Sequence, residues 1–130
     1  RDWSERTGIS VALDLPDHLG RLPEAIELSI FRIVQEGLSN VRKHAQAGTV
    51  RICLQHTSPR MLLVTISDDG RGLADNFDLG SLSAKGHYGL LGISERVALL
   101  GGRLKLQNQA GGGLRLEVEI PHPRVADSRL

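Results

Sequence analysis

Hydrophobic and polar positions follow two different rhythms along the chain. Residues 9–15 (ISVALDL) alternate crudely and run into Pro16, which predicts a short strand with a stop. From Pro23 the rhythm lengthens. Ile26, Ile30, Ile33, Val34, Leu38 and Val41 recur mostly at three- and four-residue steps and predict one apolar face of a long helix. Pro23 suits a first turn, and Glu24 and Glu27 suit the positive end of a helix. Gly48 is the expected stop, as a glycine just past a helix end. The period then returns to two. Runs at 49–55 (TVRICLQ) and 61–67 (MLLVTIS) predict strands, and residues 56–60 between them are few enough for a hairpin.

A polar stretch with spaced glycines, 68–89, offers few core candidates; that length inside a compact domain marks a functional or mobile loop. A second helix is expected at about 90–100 (LLGISERVALL), ending at Gly101-Gly102. Strands at 103–108 and 114–120 flank Gly111-Gly112-Gly113 and stop at Pro121, and residues 122–130 read as a frayed polar tail. Helices and strands alternate irregularly, with hairpins in the middle and at the end. That predicts an α+β, two-layer sandwich, a mixed β-sheet with helices on one face, rather than a regular βαβ winding.

Composition narrows the picture. The 130 residues make one domain, 1–130, with a core expected from about 9 to 121. Aromatics are only 3%, so Leu, Ile and Val must fill that core. Sixteen basic against fifteen acidic residues leave a net charge of +1. Such balance gives no global attraction to nucleic acid or anionic membrane, so any anion site must be local. The single cysteine, Cys53, lies in a β-like run and is expected to be an inert core thiol. No apolar run approaches the roughly 20 residues that span a bilayer, and no secretory signal is visible. The chain begins in mid-pattern at Arg1, and is read as a cytoplasmic fragment of something larger, with room upstream for a membrane anchor.

Three clusters hold the candidate chemistry. On the long helix, Glu36 and Asn40 are four apart, and Lys43 and His44 extend the same stripe. A carboxylate, an amide and an ammonium in line suit a magnesium-bound triphosphate: the carboxylate orients a nucleophile or takes a proton, the amide oxygen ligates metal, and the ammonium meets phosphate. A solvated helix face would look the same. The second cluster, Asp68-Asp69-Gly70-Arg71-Gly72, leaves a predicted strand. Its glycines let a planar ligand approach the backbone, and an aspartate there can accept from an exocyclic amine. An acidic turn is the plainer alternative. The third, Gly86-His87-Tyr88-Gly89-Leu90-Leu91-Gly92, opens a helix and exposes N–H groups to an anion, or else is a flexible break before the helix. It is neither a dinucleotide fingerprint nor a Walker loop, and no Walker loop occurs elsewhere.

The order of these clusters resembles the GHKL, or Bergerat-fold, ATPase superfamily. FRIVQEGLSNVRKHA resembles its N box, SDDGRGL its first glycine box, GHYGLLGISERVALLGG its second and GGGLRLEVEIP its closing strand. Within the superfamily, VQEGLSNVRKHA with GLLGISERV resembles sensor histidine kinases that partner LuxR/NarL-type response regulators. The resemblance implies an ATP-binding catalytic domain that transfers the γ-phosphate to a histidine on a separate dimerisation helix. It implies ATP and Mg2+ as cofactors, with Asn40 as metal ligand, Glu36 as general base or orienting group, and Lys43 on phosphate. His44 closes the box, Asp68 receives the adenine amine, Gly70, Arg71 and Gly72 lie at the base, and Gly89, Leu90 and Gly92 wrap the phosphates. Residues 74–85 fall where the family places its lid, although they are few and show no strong phenylalanine box.

The family's acceptor histidine is followed by an acidic residue in an upstream helix, and none of His18, His44, His56, His87 and His122 has that setting. The fragment is therefore expected to bind ATP, to be monomeric and not to phosphorylate itself, whereas the parent is expected to be a homodimer. An anti-sigma serine kinase and a degenerate nucleotide-binding or protein-interaction module are the competing readings. The intact Glu36, Asn40, Asp68, Gly70 and Gly72 stand against decay, and the split Gly86-His87-Tyr88-Gly89 favours it.

Overall fold

The computed structural model of the chain describes residues 2–16, 22–72 and 88–121. The predicted strands and helices form there, with one addition at the start. The elements are α1 (Asp2–Thr7), β1 (Ser10–Asp14), α2 (Glu24–Asn40), a π-helical turn (Val41–Ala45), β2 (Thr49–Ser58), β3 (Met61–Asp68), α3 (Tyr88–Leu99), β4 (Arg103–Asn108) and β5 (Leu114–Pro121). The short helix α1 has no counterpart in the periodicity reading, being only six residues long.

The five strands make one sheet in the order β1-β2-β3-β5-β4. β1 runs parallel to β2, with α2 in the connection between them, and the remaining pairs are antiparallel. The sheet is mixed, as predicted. Alternation along the strands decides which face is covered. Val50, Ile52 and Leu54 of β2, Leu62, Val64 and Ile66 of β3, and Leu114, Leu116, Val118 and Ile120 of β5 are all buried. α2 packs against α3 and β3, and α3 against β4 and β5. Helices therefore lie on one face and the core lies between the layers. Ile33 and Ile93 join the two helices to Leu62 and Ile120 in that core, each side chain contributing roughly 1.5–3 kcal/mol by burial.

Several sequence expectations are corrected. The helix stop is Gln46, in the left-handed region at φ 54°, and Gly48 belongs to the bend before β2. The last turn of the long helix is π rather than α, so the three- and four-residue steps from Asn40 no longer stack directly over it. Pro23 is the cap and not the first helical residue; its carbonyl accepts from the N–H groups of Ile26 and Glu27. β2 extends to Ser58, so the hairpin joint shrinks to Pro59 and Arg60, with a register irregularity between His56 and Ser58. Cys53 is half-buried on the open face, out of phase with the buried Ile52 and Leu54, and is not a core thiol.

Candidate functional site

β3 alternates core residues at Leu62, Val64 and Ile66, and Asp68 takes the next position on the same side. The side chain thus continues the core stripe as its one charged member, only 6% exposed at the strand end. Both hydrogen bonds fall on one oxygen: Oδ1 accepts from the N–H groups of Gly70 at 2.8 Å and Leu114 at 3.3 Å. Oδ2 keeps its lone pairs. Burial raises the Asp68 carboxyl above the ordinary carboxylate range, the bonds from Gly70 and Leu114 oppose that rise, and the charge of Asp69 adds to it.

Asp69 points the other way and does different work. Its Oδ1 accepts from the N–H groups of Gly48 at 2.8 Å and Thr49 at 2.9 Å. It thereby ties the exit of the π-turn to the strand that presents Asp68. The bond from Thr49 first, and that from Gly48 second, lower its carboxyl below the ordinary range. The β4–β5 hairpin props the same corner. Gln109 Nε2 donates to the Asp68 carbonyl at 2.9 Å. Gly113, at φ 96°, lies so close to that carbonyl that any Cβ would collide with it. Gly72, at φ 73°, holds a backbone conformation that side chains rarely adopt, and a Cβ there would stand 2.5 Å from Asn108 Oδ1 and 3.3 Å from the Gly113 carbonyl oxygen.

Two further glycines bring the helices to this corner. A Cβ on Gly37 would lie 2.7 Å from Ile66 Cδ1, so its absence seats α2 on β3 two residues before Asp68. A Cβ on Gly92 would lie 2.5 Å from Glu36 Oε2, so α3 approaches α2 with Glu36 lying over its backbone. Arg96 Nη2 then donates to Glu36 Oε1 at 3.5 Å, an ion pair with both side chains about one-third exposed. Asn40, one turn beyond Glu36, is buried at the point where α2 passes into the π-turn. The C-terminal half of α2, the end of β3 and the first half of α3 therefore converge.

Most of the predicted site residues have a described place. Glu36, Asn40, Asp68, Gly70 and Gly72 lie on the converging elements, and Arg71 is exposed between the two glycines. Gly89 is inside the first turn of α3, which starts two residues earlier than expected. The Leu90 side chain is in the core at 1% exposure, leaving only its backbone to face a ligand. Lys43 is exposed on the π-turn, displaced from the straight stripe. The side chain of His44, the expected lid at 74–85, Gly86 and the tail lie outside the described residues. The residues that sequence reasoning missed are Arg96, Gln109 and Gly113. Only the first left a signal, because Gly92 and Arg96 are four apart on one face of α3.

Among the described residues no group of three or more His, Cys, Asp and Glu could hold a metal ion. A cleft of about 310 Å³ opens beside Asp68 and Asp69, lined by Ser10, Thr49, Arg51, Ser67 and Gln109. Those strand residues alternate with the core stripe, so this cleft belongs to the open side of the sheet, away from Glu36. No described helix is long and apolar enough to cross a membrane.

Comparison with known proteins gives concordant matches. Residues 25–124 match the family described as histidine kinase-, DNA gyrase B-, and HSP90-like ATPase. The chain is 36% identical over 124 residues to the signal transduction histidine-protein kinase/phosphatase DegS of Brevibacillus brevis, covering 93% of this chain and 30% of that protein. It is 37% identical over 121 residues to the signal transduction histidine-protein kinase/phosphatase UhpB of Salmonella typhimurium, covering 93% of this chain and 22% of that protein. The chain thus spans less than a third of the length of these relatives. Among solved structures, the Erythrobacter litoralis EL346 blue-light activated histidine kinase superposes with a TM-score of 0.75 at 25% identity, over 93% of this chain and 38% of that one.

Proposed function

The chain belongs to the histidine kinase-, DNA gyrase B-, and HSP90-like ATPase family, and from that premise we propose that it is the ATP-binding catalytic domain of a two-component sensor histidine kinase. The observation that carries the reading is Asp68. A carboxylate buried at a strand end, held through one oxygen and open at the other, beside glycines that exclude side chains, suits the exocyclic amine of adenine. The nucleotide lies on the helical side of the sheet, with its phosphates toward the first turn of α3. There, the N–H groups of Gly89 and Leu90 have no acceptor within the helix, and the helix dipole favours anions.

The Asn40 amide oxygen fits a hard cation that takes its remaining ligands from phosphate and water, which is how Mg2+ is commonly held. When bound, Mg2+ would neutralise phosphate charge. Glu36 orients, or takes the proton from, an attacking imidazole nitrogen. Lys43, His44, Arg71, Gly70, Gly72 and Gly92 complete the nucleotide contacts in this reading. The acceptor histidine is on a dimerisation helix outside this chain, so the isolated domain is a monomer that binds ATP without phosphorylating itself. The parent is a homodimer, with this domain in the cytoplasm, and passes the phosphoryl group to a LuxR/NarL-type regulator. The names of the DegS and UhpB relatives support the kinase assignment.

The test is calorimetric titration of the domain with a non-hydrolysable ATP analogue, with and without Mg2+, beside Asp68→Asn. Adenine-selective binding is expected, about 10- to 100-fold weaker in the variant, because hydrogen bonds to charged groups are worth about 1.5–3 kcal/mol. A folded wild-type domain that binds no nucleotide would refute the proposal.

A further inference from the structure

Arg96 has no part in the nucleotide contacts above, yet it meets the residue on which the transfer depends. It is the only cation of α3. Its guanidinium touches Glu36 at a single long contact, Nη2 to Oε1 at 3.5 Å, while its Nε is buried without a hydrogen-bond partner. A buried, unpaired guanidinium N–H is costly, and such orphans call for an explanation. The geometry supplies one. Gly92 stands one turn before Arg96 and leaves space for the Glu36 carboxylate, whose Oε2 lies 2.5 Å from where a Cβ would be. A small rotation of Glu36 over this glycine would present both oxygens to Nη2 and Nε, the two-point arrangement that guanidinium and carboxylate favour.

We propose that Arg96 is a positioning residue for the phosphoryl transfer: with Gly92 as the floor, its guanidinium holds the Glu36 carboxylate in the orientation that serves the attacking imidazole. This rests on the reading of Glu36 given under Proposed function. Arg96 acts through Glu36 and touches neither nucleotide nor acceptor. The simpler role, a strut between α2 and α3, differs in what it would change. A strut alters stability and nucleotide affinity; a positioning residue alters the transfer rate and leaves both in place.

The experiment is a double-mutant cycle in the full-length kinase, using Arg96→Gln, Glu36→Gln and the pair, with Arg96→Lys beside them. The rate constant of autophosphorylation at saturating ATP is measured together with the KM for ATP and the Tm. Arg96→Gln is expected to lower the rate constant at least about tenfold with KM nearly unchanged, since misorientation of a catalytic group costs rate rather than binding. Adding it to Glu36→Gln should cost little more, and Arg96→Lys should recover part of the loss. An unchanged rate in Arg96→Gln, losses that simply add in the pair, or a rate that falls only in step with Tm and KM would overturn the inference while leaving the kinase reading intact. Failure of the wild-type full-length kinase to autophosphorylate would overturn both.

Discussion

Two adjacent aspartates meet opposite fates in this domain, and their titration should separate them. The Asp68 carboxyl is raised by burial, so between its ordinary and its folded value the folded state binds more protons, and stability falls as pH rises through that window. At neutral pH the ionised group is held at a cost. Asp68→Asn, which keeps an oxygen for Gly70 and Leu114, is therefore expected to match or exceed the wild-type Tm at pH 7. The difference should shrink as pH falls through the raised value. Asp69 has the reverse sign. Its carboxyl is lowered by the N–H groups of Thr49 and Gly48, so its stabilisation is present above the ordinary range and lost as pH falls through the lowered value. Asp69→Asn should lower Tm at pH 7 and converge with wild type in acid. Thermal scans of both variants from pH 7 to about 3 check the pair; parallel curves would contradict it. The residue held at a cost is the one proposed to meet the ligand.

At the scale of elements, contact is set by what glycines omit. Gly37→Ala places a Cβ 2.7 Å from Ile66 Cδ1 and must lift α2 from β3 or turn the isoleucine. Overpacking of this kind costs about 1–3 kcal/mol, readable by urea unfolding, and a stable Gly37→Ala would show that the isoleucine yields freely. Elements with a clean period were legible in the chain itself: α2 through Ile26, Ile30 and Ile33, β3 through Leu62, Val64 and Ile66, and the Asp68 corner through its glycines. What escaped were features that depend on partners far away in sequence. Gln46 takes the left-handed conformation although a glycine two residues later looked the better stop. Asp69 bonds to Gly48 across 21 residues, and Arg96 reaches Glu36 across 60; no local pattern announces either. The π-turn is equally invisible to a helical count, because it uses the same residue types with a wider pitch.

Among the described residues the molecule is a sheet with one parallel edge and a helical layer that closes over the charged end of β3. β1 is the exposed edge, joined to β2 by five register pairs and the Arg51–Asp14 ion pair at 2.7 Å, both side chains solvent-facing. An exposed pair contributes little, and Arg51→Ala is expected to leave the midpoint of chemical denaturation nearly unchanged. The centre of the sheet is different in kind. β3, with its nearly continuous burial, is flanked by β2 within a tight hairpin and by β5 from the far end of the chain.

That placement of β5 has a consequence during synthesis. The central strand can pair with β2 as soon as both have left the ribosome, but its other edge has no neighbour until Leu114–Pro121 emerges. Closing so long a loop is slow, and the unpaired edge meanwhile invites association with other chains. The Asp68 corner waits for the same event, since Leu114 and Gln109 supply two of its contacts. A prematurely terminated chain lacking β5 is therefore expected to aggregate and to retain no nucleotide, as sedimentation and fluorescent-nucleotide titration of a 1–110 truncation would reveal. In the proposed reading, nucleotide recognition thus arrives only once β5 has been made, and copies that stop short of it cannot compete for ATP.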